Sequence, residues 1–162
     1  MRFFLTVAAV GTVLLSLASP AFAALGGKAA SIDTDRVRLH ARISRSVAVG
    51  ATQNDLILND GTVTRQFTNA AGMVFAVSWN GPMRPNLRQL FGDYYPRLQA
   101  AASRTNRLHA RLAFTASDAD FVVRSGGHPG AFWGYAVLLN QVPAGFDASR
   151  MVGQPQTEVL GR

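Results

Sequence analysis

A chain of 162 residues is one domain's worth of polypeptide, and with 48% hydrophobic and 15% charged residues it can bury a core unaided. Sixteen basic against nine acidic residues give a formal net charge of +7, and cysteine is absent. The composition excludes disulfides, thiolate metal sites and a lipid-modified cysteine, while the dispersed basic residues, all arginine except Lys28, read as a solvated surface with a general preference for anions.

Met1 to Ala23 reads as a secretory signal peptide: Arg2 supplies the positive start, Phe3 to Leu17 an uncharged apolar run, and Ala21-Phe22-Ala23 the small residues at −3 and −1. The run is shorter than the about 20 apolar residues that a membrane span needs. We therefore expect cleavage after Ala23, a single mature domain over residues 24–162, no span after cleavage, and a periplasmic or secreted location. No twin-arginine pair is present, so the general export route is expected. Export argues against nucleic acid as a partner, and no recognition motif for it is visible.

Ala24 to Lys28, small and glycine-rich, reads as a flexible lead-in. Over residues 31–46 two patterns compete. Ser31 suits a helix N-cap with Asp33 near the helix start, yet Val37, Leu39, Ala41 and Ile43 alternate with polar residues as in a strand. A short helix followed by an extended segment reconciles them. Leu56-Ile57-Leu58 then runs into Asn59-Asp60-Gly61, a type I′ hairpin signal, and Thr62 to Phe67 returns as its partner. Asn69 to Gly72 makes the next turn, and Met73 to Trp79 is a strand apolar on both faces, hence central. Sequential strands with short turns predict an antiparallel meander.

Asn86 caps the best helix, with Leu87, Leu90, Phe91, Tyr94, Leu98, Ala101 and Ala102 on one face. Pro96 cannot donate to the carbonyl of Gly92 and predicts a kink or restart near Tyr95. Strands follow at Ala110 to Thr115 and Phe121 to Arg124, then a sharp loop from Ser125 to Gly130, a last strand from Phe132 to Leu139, and a loop-rich tail with one helical turn near Asp147. The fold class expected is α+β: an antiparallel sheet of five or six strands with one main, kinked helix packed on one face.

Several segments together resemble the exported bacterial domain-of-unknown-function family 2844. They are Ala24-Leu25-Gly26-Gly27, Asp60-Gly61-Thr62-Val63, the block from Gly72 to Pro82, Pro85-Asn86-Leu87, Leu90-Phe91-Gly92 and Ser125-Gly126-Gly127-His128. The resemblance spans nearly the whole mature chain and implies no catalytic residues. Two positions depart from the family pattern: Asn86, where an acid is common, and Tyr135, where an arginine follows the glycine.

Among the chemistry-bearing residues, Ser125 and His128 flank two glycines and could act as nucleophile and base, although the G-x-S-x-G elbow is absent and a plain glycine turn is the stronger reading. His40, His109 and His128 lack ligand spacing, so no metal and no cofactor are expected. The pairs Asp33/Asp35 and Asp118/Asp120 could serve glycoside chemistry but sit where turns and caps use aspartate. Trp79, Arg84, Arg88, Tyr95 and Trp133 form the binding set, the aromatics reading either as an interface or as core packing of helix on sheet. The functional expectation is a non-enzymatic binding or accessory factor of the cell envelope, partnered by an anionic envelope component or another envelope protein. The alternative is a small envelope hydrolase using Ser125 and His128.

Overall fold

The computed structural model describes residues 25–103 and 113–151. The expected signal peptide, residue 24, the start of the strand expected at Ala110, and residues 152–162 lie outside the described residues. Within them, β1 (Arg42–Ala48), β2 (Ala51–Ile57), β3 (Val63–Asn69) and β4 (Val74–Gly81) form the predicted meander. The chain then leaves the sheet for a helical layer and returns as β5 (Ala113–Ser117), β6 (Phe121–His128) and β7 (Ala131–Leu138). All neighbours are antiparallel in the order β1-β2-β3-β4-β7-β6-β5. The α+β class holds, but the sheet has seven strands where five or six were expected. The first hairpin, closed by Val49 and Gly50, accounts for the difference: the extended segment expected up to Ser46 is β1, a full edge strand, and the strand expected from Leu56 starts earlier, at Ala51, and runs through polar Thr52, Gln53 and Asn54.

Two turns differ in kind from expectation. At Asn59-Asp60-Gly61 the Gly61 N–H donates to the Leu58 carbonyl, and only Gly61, at φ +84°, is left-handed. Asp60 instead accepts from the Thr62 N–H at 2.8 Å, so the loop is a three-residue turn closed by a glycine bulge rather than type I′. Residues Ser125 to His128, expected as a loop, continue β6, and only Pro129 and Gly130 connect it to β7. Glycine is tolerated inside this strand because a neighbour fills its missing side chain: an added Cβ at Gly126 would lie 2.8 Å from Cζ2 of Trp133.

The expected single helix is two, α2 (Leu87–Phe91) and α3 (Tyr95–Ser103), preceded early in the chain by α1 (Ile32–Arg38). Asn86 caps α2 as predicted, its side chain accepting from the Gln89 N–H at 3.2 Å. The break comes from Gly92, at φ +50° and ψ −123°, while Pro96 sits harmlessly in the first turn of α3. Ser31 does not cap α1; its hydroxyl donates back to the Lys28 carbonyl at 2.6 Å.

β4 lies in the middle of the sheet and is buried on both faces, as predicted. On the helical side Val74, Val77 and Trp79 meet Leu25, Ile32, Leu90, Phe91, Leu98 and Phe121. A bulge opposite Phe67 and Thr68 makes Phe75 an extra residue, so Phe75 and Ala76 share the other face. There they meet Phe67, Val137 and Met151, with Phe146 edge-on to both phenylalanines at 5.3 and 4.9 Å. The described part of the tail therefore covers the second face. The lead-in is likewise tied down: Leu25 is buried, and Gly26, Gly27 and Ala29 exchange backbone hydrogen bonds with Val74 and Gly72.

Trp79 closes the helical core by lying over Gly134, where an added Cβ would sit 2.1 Å from its Cζ2. We expect Gly134→Ala to cost about 1–3 kcal/mol through overpacking and Trp79→Ala about 3–5 kcal/mol through the cavity it leaves. Urea unfolding of both variants measures this, and a wild-type midpoint for Gly134→Ala would contradict the packing.

Arg97 pins α3 to the sheet edge. Its guanidinium donates to Asp120 at 2.6 Å and Asp118 at 2.9 Å and lies 5.2 Å from the ring centre of Phe121. These hydrogen bonds hold both carboxyls below the usual carboxylate range, with the attraction of the Arg97 charge adding to them, and raise the arginine's own pKa. A depressed carboxyl stabilises the fold above its unfolded pKa, ~4, and loses that contribution as pH falls through the folded value. Arg97→Gln should therefore be less stable than wild type at neutral pH and lose less on acidification below pH ~4. Urea midpoints across that range test this; parallel pH profiles for the two proteins would count against it.

Candidate functional site

Strand alternation decides what Ser125 and His128 can do together. Three positions apart on β6, they leave opposite faces of the sheet: Ser125 pairs with Gly134 on the helical side, His128 with Ala131 on the other. His128 is exposed, its Nδ1 3.0 Å from the Pro129 carbonyl. The expected nucleophile and base do not meet. The carboxylate pairs are also occupied, Asp118 and Asp120 by Arg97, and Asp33 by Arg45 at 2.9 Å. Asp35 is buried and accepts from Gln89 Nε2 at 3.1 Å. Among the described residues no three histidine, aspartate or glutamate side chains gather as a metal site would require.

The binding set divides among three places. Trp79 is only 2% exposed and stands edge-on to Phe91 at 5.9 Å, so it belongs to the core and not to a binding surface. Trp133, 38% exposed, lies over Gly126 on the face away from the helices. Arg84, after β4, places its guanidinium 5.1 Å from the ring centre of Phe132. Arg88 and Tyr95 come together in the helical layer.

There the Gly92 bend opens a concavity of about 520 Å³ between α2 and α3. Arg88, Gln89 and Asn86 line it from the α2 side, and Asp93, Tyr95 and Gln99 from the bend and α3. Tyr95 is partly buried against the core and also lines the concavity. The volume falls in the range typical of small-ligand sites, about 300–1,000 Å³.

Beneath α2 lies a smaller chamber of about 20 Å³ that shares Asn86 and Gln89 with the concavity. Its floor carries Thr64 and Gln66 from β3, both buried, and Asp35 from α1. Thr64 Oγ1 and Gln66 Oε1 make no hydrogen bond. Buried oxygens without partners are uncommon in folded proteins, and a chamber of this size admits one water or one hydroxyl, given a minimum of about 10–15 Å³.

Sequence patterning missed Gln89, Gln99, Thr64 and Gln66 as site residues, and named Asp35 only as half of a carboxylate pair. Their common element is the bend: Gly92-Asp93 inside an apolar helical repeat is the one sequence signal that could have located the concavity. Placing a side chain at Gly92 should strain the backbone by about 1–3 kcal/mol. Gly92→Ala is expected to lower the urea midpoint and shift the backbone amide resonances of Tyr95 and Gln99; an unchanged midpoint would contradict the strain.

The family model described as "Protein of unknown function (DUF2844)" matches residues 21–151. No curated protein and no solved structure matches the chain.

Proposed function

We propose, from the premise that the chain belongs to the DUF2844 family of proteins of unknown function, that it is an exported binding protein of the cell envelope whose ligand enters the concavity between α2 and α3. The observation that carries this reading is the convergence of Arg88 and Tyr95, expected as binding residues, with four further polar side chains in one recess of ligand size. The leader pattern of residues 1–23 supports the exported location. No helix among the described residues is long and apolar enough to cross a membrane. The separation of Ser125 from His128 favours binding over hydrolysis. The basic surplus favours an anionic surrounding such as wall polymer, which would concentrate the protein near its ligand without deciding specificity.

Two measurements test the reading. Fractionation of expressing cells with intact-mass analysis should recover a periplasmic or secreted form lacking residues 1–23; a cytosolic full-length protein would refute export. Purified protein should also sediment saturably with isolated envelope material. The exposed pair Arg88→Ala and Gln99→Ala should together reduce that capture at least tenfold, equivalent to about 1.4 kcal/mol, with no loss of thermal stability. Capture equal to wild type would remove the concavity from the function.

A further inference from the structure

Resting on the reading just given, we infer that the ligand of the α2–α3 concavity is an uncharged polyhydroxyl compound, a saccharide unit, with one hydroxyl entering the chamber beneath α2. Three observations point there. The lining carries one cation, Arg88, and one anion, Asp93, so the recess offers no net charge to an ionic ligand. Its other polar side chains include the amides of Asn86, Gln89 and Gln99; Asn86 Oδ1 already accepts from the Gln89 N–H and Gln89 Nε2 already donates to Asp35, so these two offer a ligand the donor and acceptor capacity that remains, and Gln99 adds a third amide from the exposed side of α3. A hydroxyl is likewise donor and acceptor at one atom, so amides satisfy a polyol at every position, where a row of cations would satisfy only an anion. Tyr95, an aromatic that lines the recess and is held against the core, can supply an apolar surface for the C–H face of a sugar ring.

The chamber gives the second, independent indication. Thr64 Oγ1 and Gln66 Oε1 are buried without partners, Thr64 and Gln66 line a chamber large enough for one hydroxyl, and Gln89 lies on the lining of both recesses. A group entering from the concavity past Gln89 would give both oxygens the hydrogen bond they lack, so desolvation already incurred on folding is offset on binding. In the unliganded protein one water can take that place, to be displaced by a ligand hydroxyl that reproduces its hydrogen bonds.

The test uses the purified protein and two defined probes, a β-1,4-linked N-acetylglucosamine tetrasaccharide for wall glycan and a β-1,4-linked glucose tetrasaccharide for neutral glucan, titrated by calorimetry and by amide chemical shift. Saturable binding of either is expected, with shifts centred on Gln89, Gly92, Tyr95 and Gln99, and the tighter probe identifies the source. Affinity should change less than threefold between about 0.05 and 0.5 M salt, since a neutral ligand is not screened. Thr64→Val is the decisive variant: Thr64 Oγ1 has no hydrogen bond to lose within the protein, so the melting temperature should hold or rise while affinity falls at least fivefold.

Wild-type affinity in Thr64→Val, more than tenfold weakening by salt, or no saturable binding of either probe up to about 10 mM would each overturn the inference. In the last case, envelope capture that still depends on Arg88 and Gln99 would leave the binding reading standing with a different ligand; loss of that dependence would remove both.

Discussion

β4 is apolar on both faces, and a strand of that kind is stable only if both faces are kept from water. Among the described residues, layers on both sides of the sheet answer that need. The helical layer and the pinned segment around Leu25 cover Val74, Val77 and Trp79, while the short stretch from Val142 to Met151 covers Phe75 and Ala76. A fully buried side chain of this size contributes about 1.5–3 kcal/mol relative to exposure, so the strand alone justifies two covering layers. The bulge at Phe75 is part of the same arrangement, because it puts two consecutive residues on the face that the tail closes.

Glycine and tryptophan set the closeness of that packing. Trp79 lies over Gly134 on the helical face, and Trp133 lies over Gly126 on the other, so each indole occupies the volume that its facing strand gives up. Gly26 makes room for Tyr94 in the same way, an added Cβ there lying 2.8 Å from Cε2 of the ring. Aromatic mass is thereby held against bare backbone. This is why glycines that resemble turn residues sit inside β6 and β7 without weakening the sheet.

The concavity follows from how the helical layer crosses the sheet. The bend at Gly92 divides the segment from Leu87 to Ser103 into two helices and opens a recess lined from both, Tyr95 among its residues. The chamber below has a different origin, since β3 places Thr64 and Gln66 on the helical face where apolar residues would be ordinary. Polar groups there leave the core less satisfied than it could be, the kind of local cost that folded proteins carry where they bind something.

The elements with strong local signals were legible in the sequence: the hairpin at Gly61, the turn at Gly72, the apolar strand β4, the Asn86 cap, the restart at Tyr95 and the turn near Asp147. Each depends on residues a few positions apart, through a left-handed glycine, a side-chain cap or two-faced apolarity. The strand running through Ser125 to His128 was not legible, because two glycines mark a turn unless a distant tryptophan fills their place. Of the first hairpin, the extended segment up to Ser46 and the Leu56-Ile57 end of β2 were legible, while its turn and the polar stretch from Thr52 to Asn54 were not. For the site, Arg88 and Tyr95 could be named from chemistry and Trp79 could not be told from a surface aromatic, since burial depends on what lies across the sheet. The gathering of Gln89, Gln99, Asp35, Thr64 and Gln66 joins residues from α1, β3, α2 and α3. Local stereochemistry, set by neighbours along the chain, was written in the order of the amino acids; the recess and its unpartnered oxygens arise only when β3 and the helical layer are brought face to face by the need to bury β4.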